Sequence, residues 1–405
     1  MNVLFLHPNF PSQFRDLAAA LAAHPRNKVA FITARKEGEI PGIQKILHPP
    51  PDPPPKGTHP YLASFDQAIR HGQAAYRAAL ELRKSGFVPD VIYAHSGFGQ
   101  GLFLRDLFPN CPLLFQFEWY YRAHGSDSDF DPSEPLDADG EARIRVKNAA
   151  ILTELDASTG GCTPTKWQKA QFPREFHSKI GLCHEGINTE YFSPEPSRLS
   201  LPRIGLELPE DAEIVTYVAR GMEPYRGFPQ FIDCAHRLLE ARPKCHIVVV
   251  GDDRVAYGRP RPDGKSYKTA MLEEFPLDPA RTHFTGMIPY SEYRQVLRAS
   301  SAHVYLTRPF VLSWSALEAM ACGCVVIGSD TAPVREIIAD GHNGILVDFF
   351  NTQAMAERTG QALDAGPSLG GMRENARATV LERYALSKLL PARARWLQRA
   401  ADRKP

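Results

Sequence analysis

Arg220 and Arg226 bracket a short turn in the run Val-Ala-Arg-Gly-Met-Glu-Pro-Tyr-Arg-Gly-Phe. Two guanidiniums held that close suit a diphosphate, because each offers charge-assisted, partly bidentate hydrogen bonds worth roughly 1.5–3 kcal/mol. Further along, Ser313, Trp314 and Ser315 stand at the head of an apolar stretch that reads as a helix. The unpaired N–H groups and positive dipole end there add about 0.3–2 kcal/mol toward an anion, so the arginines dominate. A second kind of chemistry is offered by Glu118 and His95, each at the end of an apolar run. A carboxylate at a strand's carboxyl end, beside Trp119 and Tyr120, is placed to take a hydroxyl proton, and partial burial raises its pKa toward usefulness. A brace between Glu118 and Arg122 accounts for the same residue, and a strand-end histidine such as His95 serves structure as readily as catalysis. A diphosphate leaving group neutralised as its bond breaks, with a proton acceptor opposite, is the equipment of a nucleotide-sugar enzyme.

The elements that must position these groups alternate strand and helix. Strands are expected at 3–6, 29–33, 91–95, 113–117 and 180–183, with helices at 13–23 (Ser12 as N-cap), 65–84 and 143–155. Residues 48–60 are dense in proline and form a stiff irregular connector, while 127–140 are acidic and read as a loop. The first strand runs into His-Pro-Asn rather than a Gly-x-Gly-x-x-Gly turn, which argues against nicotinamide chemistry. A proline-rich stretch at 194–209 reads as a linker, after which the alternation restarts: strands at 214–218 and 246–250, helices at 227–242 and 292–300. The segment 304–327 is a strand–turn–helix–strand unit in which Ser315 and Glu318 form a Ser-x-x-Glu capping box and Gly323 ends the helix. The fold class is therefore α/β, with two doubly wound Rossmann-like domains, 1–192 and 208–386, facing across a cleft, and a last helix in 387–405 crossing back onto the first.

The balance of 47 basic against 46 acidic residues leaves a net charge of +1, which excludes a protein that coats nucleic acid. Apolar runs are strand-sized, too short to span a bilayer, and the amino terminus lacks the features of a signal peptide. The seven cysteines are expected to be reduced core residues of a cytoplasmic protein, Cys322 and Cys324 among them. Arg70, Arg77, Arg83 and Lys84 line one helix; a solvated face is favoured over contact with an anionic membrane surface.

In order along the chain, Ala219-Arg220-Gly221…Arg226-Gly227-Phe228, Thr285-Gly286-Met287-Ile288, and Leu317 to Gly323 (Leu-Glu-Ala-Met-Ala-Cys-Gly) resemble the motifs of glycosyltransferase family 4, as does His184-Glu185-Gly186-Ile187-Asn188-Thr189 before them. The resemblance runs along nearly the whole chain and implies the GT-B fold, a nucleotide-diphosphate sugar donor (UDP- or GDP-linked), retention of configuration, and no metal or other cofactor. It implies that Arg220 and Arg226 hold the pyrophosphate, that Gly286, Met287 and Ile288 meet the base, and that Glu318 takes the ribose hydroxyls, unless Glu318 only closes the capping box. This chain departs from the pattern at Phe310, where the family carries a sugar-binding glutamate, and at Ser313, where a glycine is usual; main-chain N–H groups and Ser313 are expected to hold the sugar instead. It also has Gln116-Phe117-Glu118 where many relatives have Thr-x-His. The acceptor, whether glycan, lipid, protein or metabolite, stays open. An epimerase or hydrolase on the same fold and a non-catalytic scaffold are the alternatives, separated by donor consumption without acceptor and by absence of donor binding.

Overall fold

The computed structural model describes residues 1–403. The chain divides into two compact units, Met1–Gly186 together with the chain from Ser387, and Ile187–Leu386. The first unit is built on β1 (Asn2–Leu6), β2 (Lys28–Thr33), β3 (Ile43–Leu47), β4 (Val91–His95), β5 (Leu113–Gln116), β6 (Gly160–Thr163) and β7 (Ile180–Leu182), in the spatial order 3-2-1-4-5-6-7. Every neighbouring pair is parallel. Val3 to Leu6 and Val91 to Ala94 are all fully buried, as central strands covered by helices on both faces must be. The strand order reverses between β1 and β4, and an open α/β sheet leaves a crevice beyond the carboxyl ends of its strands at such a point. His7 follows β1 there and His95 ends β4.

The helix Leu386–Asp402 packs on this first sheet: Leu397 and Ala401 share a core with Val3, Phe5 and Tyr93. Its Arg393, 2% exposed, donates to the Tyr93 hydroxyl at 3.2 Å. Residues 404 and 405, included in the expected helical stretch, lie outside the described residues.

The second unit holds a two-stranded antiparallel pair, β8 (Ser200–Leu201) and β9 (Leu206–Glu207), and a parallel six-stranded sheet. That sheet comprises β10 (Glu213–Gly221), β11 (Cys245–Asp252), β12 (Thr282–Gly286), β13 (Ala302–Tyr305), β14 (Val326–Ser329) and β15 (Ile345–Val347), ordered 12-11-10-13-14-15. Its reversal falls between β10 and β13, so the chain leaving β10 and the chain leaving β13 border one crevice. These are the segments that carry Arg220, Arg226 and Ser313.

Several local expectations need correction. The first helix runs Arg15–Ala22 and is not capped by Ser12, whose φ of 49° places it in the left-handed region. Residues 143–155 form two helices, Ala138–Lys147 and Ala149–Ala157, separated at Asn148, whose amide exchanges hydrogen bonds with the Tyr121 backbone. The proline-rich stretch expected to link the domains belongs to the second unit: Leu199, Leu201, Leu206 and Leu208 are buried against Ile214, Val248 and Val250. The helix after β13 is Trp314–Ala321 and starts at Ser313 rather than Ser315; the Ser313 side chain accepts from the Ser315 N–H at 3.4 Å.

Candidate functional site

In the second unit the site is assembled around Arg226, which is 6% exposed. Its Nη1 donates to the Thr307 hydroxyl at 2.8 Å, the Val311 carbonyl at 3.0 Å and the Tyr305 hydroxyl at 3.4 Å. The Tyr305 hydroxyl in turn accepts the Ser313 N–H at 2.8 Å, so one phenol joins the guanidinium to the head of the helix Trp314–Ala321. Among the described residues no carboxylate stands within ion-pair distance of Arg226; its partners are hydroxyls, a carbonyl and the Tyr257 ring, 5.2 Å away. A buried cation without a counter-charge is costly to hold, and it is the arrangement an anionic ligand would compensate.

Arg220 is placed differently. The ladder between β10 and β11 slips between Val218 and Gly221, and a break of this kind turns side chains out of the regular sheet face. Arg220 is exposed and its side chain has no partner among the described residues; only its carbonyl is engaged, by Arg254 Nε at 3.3 Å. The two arginines are therefore in opposite states, Arg226 buried and hydrogen-bonded and Arg220 exposed at the end of β10.

Glu318 lies on the helix Trp314–Ala321, 5% exposed, and accepts from the Tyr293 hydroxyl at 2.8 Å and the Tyr290 hydroxyl at 3.4 Å. With Ser313 as the cap, these phenols, rather than the expected capping box, orient its carboxylate. Gly286, Met287 and Ile288 follow at the end of β12 on the same carboxyl edge; Met287 is 57% exposed, whereas Ile288 packs against the core. Phe310 is buried in an aromatic group, its ring 5.4 Å from both Tyr225 and Tyr257. Trp314 is the first residue of the helix and partly buried.

Glu223 is a site residue that sequence reasoning misses. It is fully buried, and its carboxylate accepts the N–H groups of Ala256, Tyr257 and Gly258 at 2.7–3.1 Å, fastening the loop after β11 to the turn that carries Arg226. Its only sequence signal is its place between the two arginines, and three amides more than thirty residues away cannot be read from that.

In the first unit His95 and Glu118 come together. His95 is 2% exposed; its Nδ1 donates to the Ser96 carbonyl at 2.8 Å, and its Nε2 lies 3.2 Å from Glu118 Oε2. Gln13 Nε2 donates to Glu118 Oε1 at 3.2 Å and sits 3.4 Å from His95 Nε2. Burial works against the imidazolium, but the Glu118 carboxylate and the Ser96 carbonyl outweigh it and leave the His95 pKa above its ordinary value. His7 stands edge-on at 4.8 Å, and Phe98, 39% exposed, packs on both imidazoles. Arg122 does not pair with Glu118: it donates to the Gln171 carbonyl at 2.7 Å and lies over Tyr120. An imidazole–carboxylate pair at a sheet's switch point can take a proton from a hydroxyl and hold that hydroxyl in place.

Of the basic residues on the helix Ala63–Lys84, Arg70 pairs with Asp66 at 2.6 Å, Lys84 with Glu81 at 2.7 Å, and Arg83 caps the Leu107 carbonyl. That is the pattern of a solvated face. No helix among the described residues is long and apolar enough to cross a membrane. All seven cysteines are free, and six of them, Cys322 and Cys324 included, are buried.

Two family models match the chain: glycosyl transferase family 4 group over residues 25–192, and glycosyl transferases group 1 over residues 203–379. An alpha-maltose-1-phosphate synthase of Mycolicibacterium smegmatis is 27% identical over 203 residues, 48% of this chain and 49% of that protein. The chain thus spans about half the length of that relative. An alpha-D-kanosaminyltransferase of Streptomyces kanamyceticus is 28% identical over 305 residues, 73% of this chain and 74% of its own. Among solved structures, Anabaena HepE in complex with UDP-glucose superposes with a TM-score of 0.71 at 16% identity, covering 98% of this chain and 100% of that one, a likeness of fold.

Proposed function

Since the chain belongs to the glycosyltransferases of family 4 and group 1, built on the GT-B fold, we propose that it moves a sugar from a nucleotide-diphosphate sugar to an acceptor hydroxyl. The observation that carries this reading is Arg226, a buried guanidinium with no carboxylate partner, coupled through Tyr305 to the head of a helix. A diphosphate supplies the missing negative charge, and Arg220, exposed and unengaged, closes on it from the rim. In this reading Glu318 takes the ribose hydroxyls, Gly286, Met287 and Ile288 meet the base, and the N–H groups and hydroxyls of Ser313 to Ser315 lie along the sugar and phosphates. UDP or GDP is the nucleotide; the UDP-glucose bound by Anabaena HepE and the sugar-transfer names of the relatives support a nucleotide sugar.

The reaction retains anomeric configuration and uses neither metal nor cofactor. As the bond between the anomeric carbon and the phosphate oxygen breaks, the arginines and the helix neutralise the departing charge. The acceptor oxygen bonds to the same face of the sugar, and its proton passes to the leaving phosphate oxygen. Glu118 or His95 orients the acceptor hydroxyl by hydrogen bonding while that proton passes to the phosphate. The setting is the cytoplasm.

The test is a thermal-shift titration with UDP, GDP and their sugars, followed by turnover with and without candidate acceptors. Stabilisation by a nucleotide sugar and acceptor-dependent release of the nucleotide are expected. Donor consumption that needs no acceptor would replace the transferase with a hydrolase or epimerase, and no shift with any nucleotide would leave a non-catalytic scaffold.

A further inference from the structure

The glycine-rich turn that follows β4, Ser96-Gly97-Phe98-Gly99-Gln100-Gly101, has no part in the reaction as described so far. It is clamped by one buried carboxylate. Glu154, on the helix Ala149–Ala157, is 0% exposed; its Oε2 accepts the Ser96 hydroxyl at 2.8 Å and the Gly97 N–H at 2.9 Å, and its Oε1 faces Gly101. No lysine or arginine stands within ion-pair distance of it among the described residues. The turn itself has no slack. A Cβ at Gly99, where φ is +83°, would fall 2.2 Å from the Ala68 carbonyl oxygen, and one at Gly101 would fall 2.3 Å from the Phe115 ring.

The residue that Glu154 holds from one side carries His95 on the other. Ser96 gives its hydroxyl to Glu154 and takes the His95 Nδ1 proton on its carbonyl at 2.8 Å. Placing the proton on Nδ1 fixes the tautomer and leaves Nε2 turned to Glu118 and Gln13. A buried carboxyl group that meets a hydroxyl and backbone amides, with no lysine or arginine beside it among the described residues, is not explained by stability. The groups bearing on the imidazole are Glu118 and Gln13 at Nε2, His7 at its face and Glu154 behind the turn.

We propose that Glu154 is a positioning residue, which through the Ser96–Gly97 turn sets the tautomer, orientation and basicity of His95. The chain of contacts from Glu154 to Ser96 to His95 to Glu118 is the acceptor-side counterpart of the outer-shell carboxylates that orient histidines elsewhere. It rests on the reading of His95 as an acceptor-side residue.

The experiment uses the full chain with nitrogen-15-labelled histidine, with His95 assigned by its disappearance in His95→Gln. Glu154→Gln is expected to move the His95 titration midpoint downward and to lower turnover on the order of tenfold, with donor KM unchanged. Ser96→Ala, which removes the hydroxyl but not the carbonyl, is expected to do the same more weakly, and it serves if the Glu154 variant does not fold. His95 signals and midpoint identical to wild type in a folded Glu154→Gln or Ser96→Ala protein would overturn the proposal. Should His95→Gln keep full turnover while Glu154→Gln still shifts the His95 signals, the positioning stands and the acceptor-side role of His95 falls.

Discussion

Replacing Arg220 by alanine separates donor binding from folding more cleanly than any other change in this protein. Its side chain is exposed and bonded to nothing among the described residues, so its loss should alter stability by no more than about 0.5 kcal/mol. If it grips a diphosphate, the variant forfeits one charge-assisted hydrogen bond or a bidentate pair, roughly 1.5–3 kcal/mol. At about 1.4 kcal/mol per decade that is a Kd raised roughly 10- to 150-fold. Arg226→Met should behave otherwise. It strips partners from the Thr307 hydroxyl and the buried Val311 carbonyl, about 1–3 kcal/mol for each group left unpaired, and loosens the Tyr305 link to Ser313. That variant loses both affinity and stability. The assay is calorimetric titration with UDP and GDP at low and high salt, paired with urea denaturation of each variant. The Arg220 contribution should shrink with salt because its charge is exposed, and that of Arg226 should persist. Nucleotide affinity within twofold of wild type in Arg220→Ala would take that residue out of the site, and the same result in a folded Arg226→Met would refute the argument from the uncompensated buried charge.

Glu318→Gln should weaken donor binding about tenfold while keeping an acceptor for the Tyr293 hydroxyl, measurable by the same calorimetry; Glu318→Ala should in addition destabilise, since it leaves that buried phenol unpaired. Glu118→Gln should lower turnover by about 100-fold or more with donor affinity intact, and unchanged turnover would return Glu118 to a structural role. Burial pushes the Glu154 carboxyl up from 4.5 to about 7, against the hydrogen bonds of Gly97 and Ser96. The folded state therefore keeps a proton that the unfolded state gives up above pH 4.5, so stability is full below that value, falls as pH rises through about 7, and then levels off. The fall is on the order of 3 kcal/mol, and urea denaturation across pH 4.5 to 8 should find it flattened in Glu154→Gln. His95, raised above its ordinary value, contributes a loss of the same sign at higher pH, so the difference between variant and wild type is the quantity to compare.

What the sequence disclosed and what it withheld divide along the distance over which each feature is decided. Buried parallel strands are continuous apolar runs, so β1, β4, β10 and β11 are legible one at a time. The edge strand Ile43–Leu47 is half exposed with no clean period, so its residues carry no strand signal. A Ser-x-x-Glu spacing is a local rule and points to Ser315 as the start of the helix Trp314–Ala321; the hydroxyls of Tyr290 and Tyr293 hold Glu318 from another helix and override it. Arg220 and Arg226 look equivalent on the page, and only the register slip in β10 and the chain leaving β13 make one exposed and the other buried. Glu223 and Glu154 are invisible in sequence for the same reason, since each spends its carboxylate on amides or hydroxyls more than thirty residues away.

The strand order supplies what the motifs lack. In each unit the chain reverses direction across the sheet once, between β1 and β4 and between β10 and β13, and the candidate residues crowd at those two points. His7, His95 and, from β5, Glu118 converge at the first; Arg226, Tyr305 and Ser313 converge at the second. A crevice open at a reversal exposes strand ends and helix starts together, which concentrates unpaired N–H groups and strand-end side chains where no helix covers them. The residues missing from the motif reading, Glu154 behind His95 and Glu223 behind Arg226, are those that turn such an opening into a fixed geometry. Each carboxyl group meets backbone or hydroxyl donors rather than a lysine or arginine. Each therefore holds its loop in place through hydrogen bonds and leaves His95 and Arg226 without a direct hydrogen bond to it, as the proposed reaction requires.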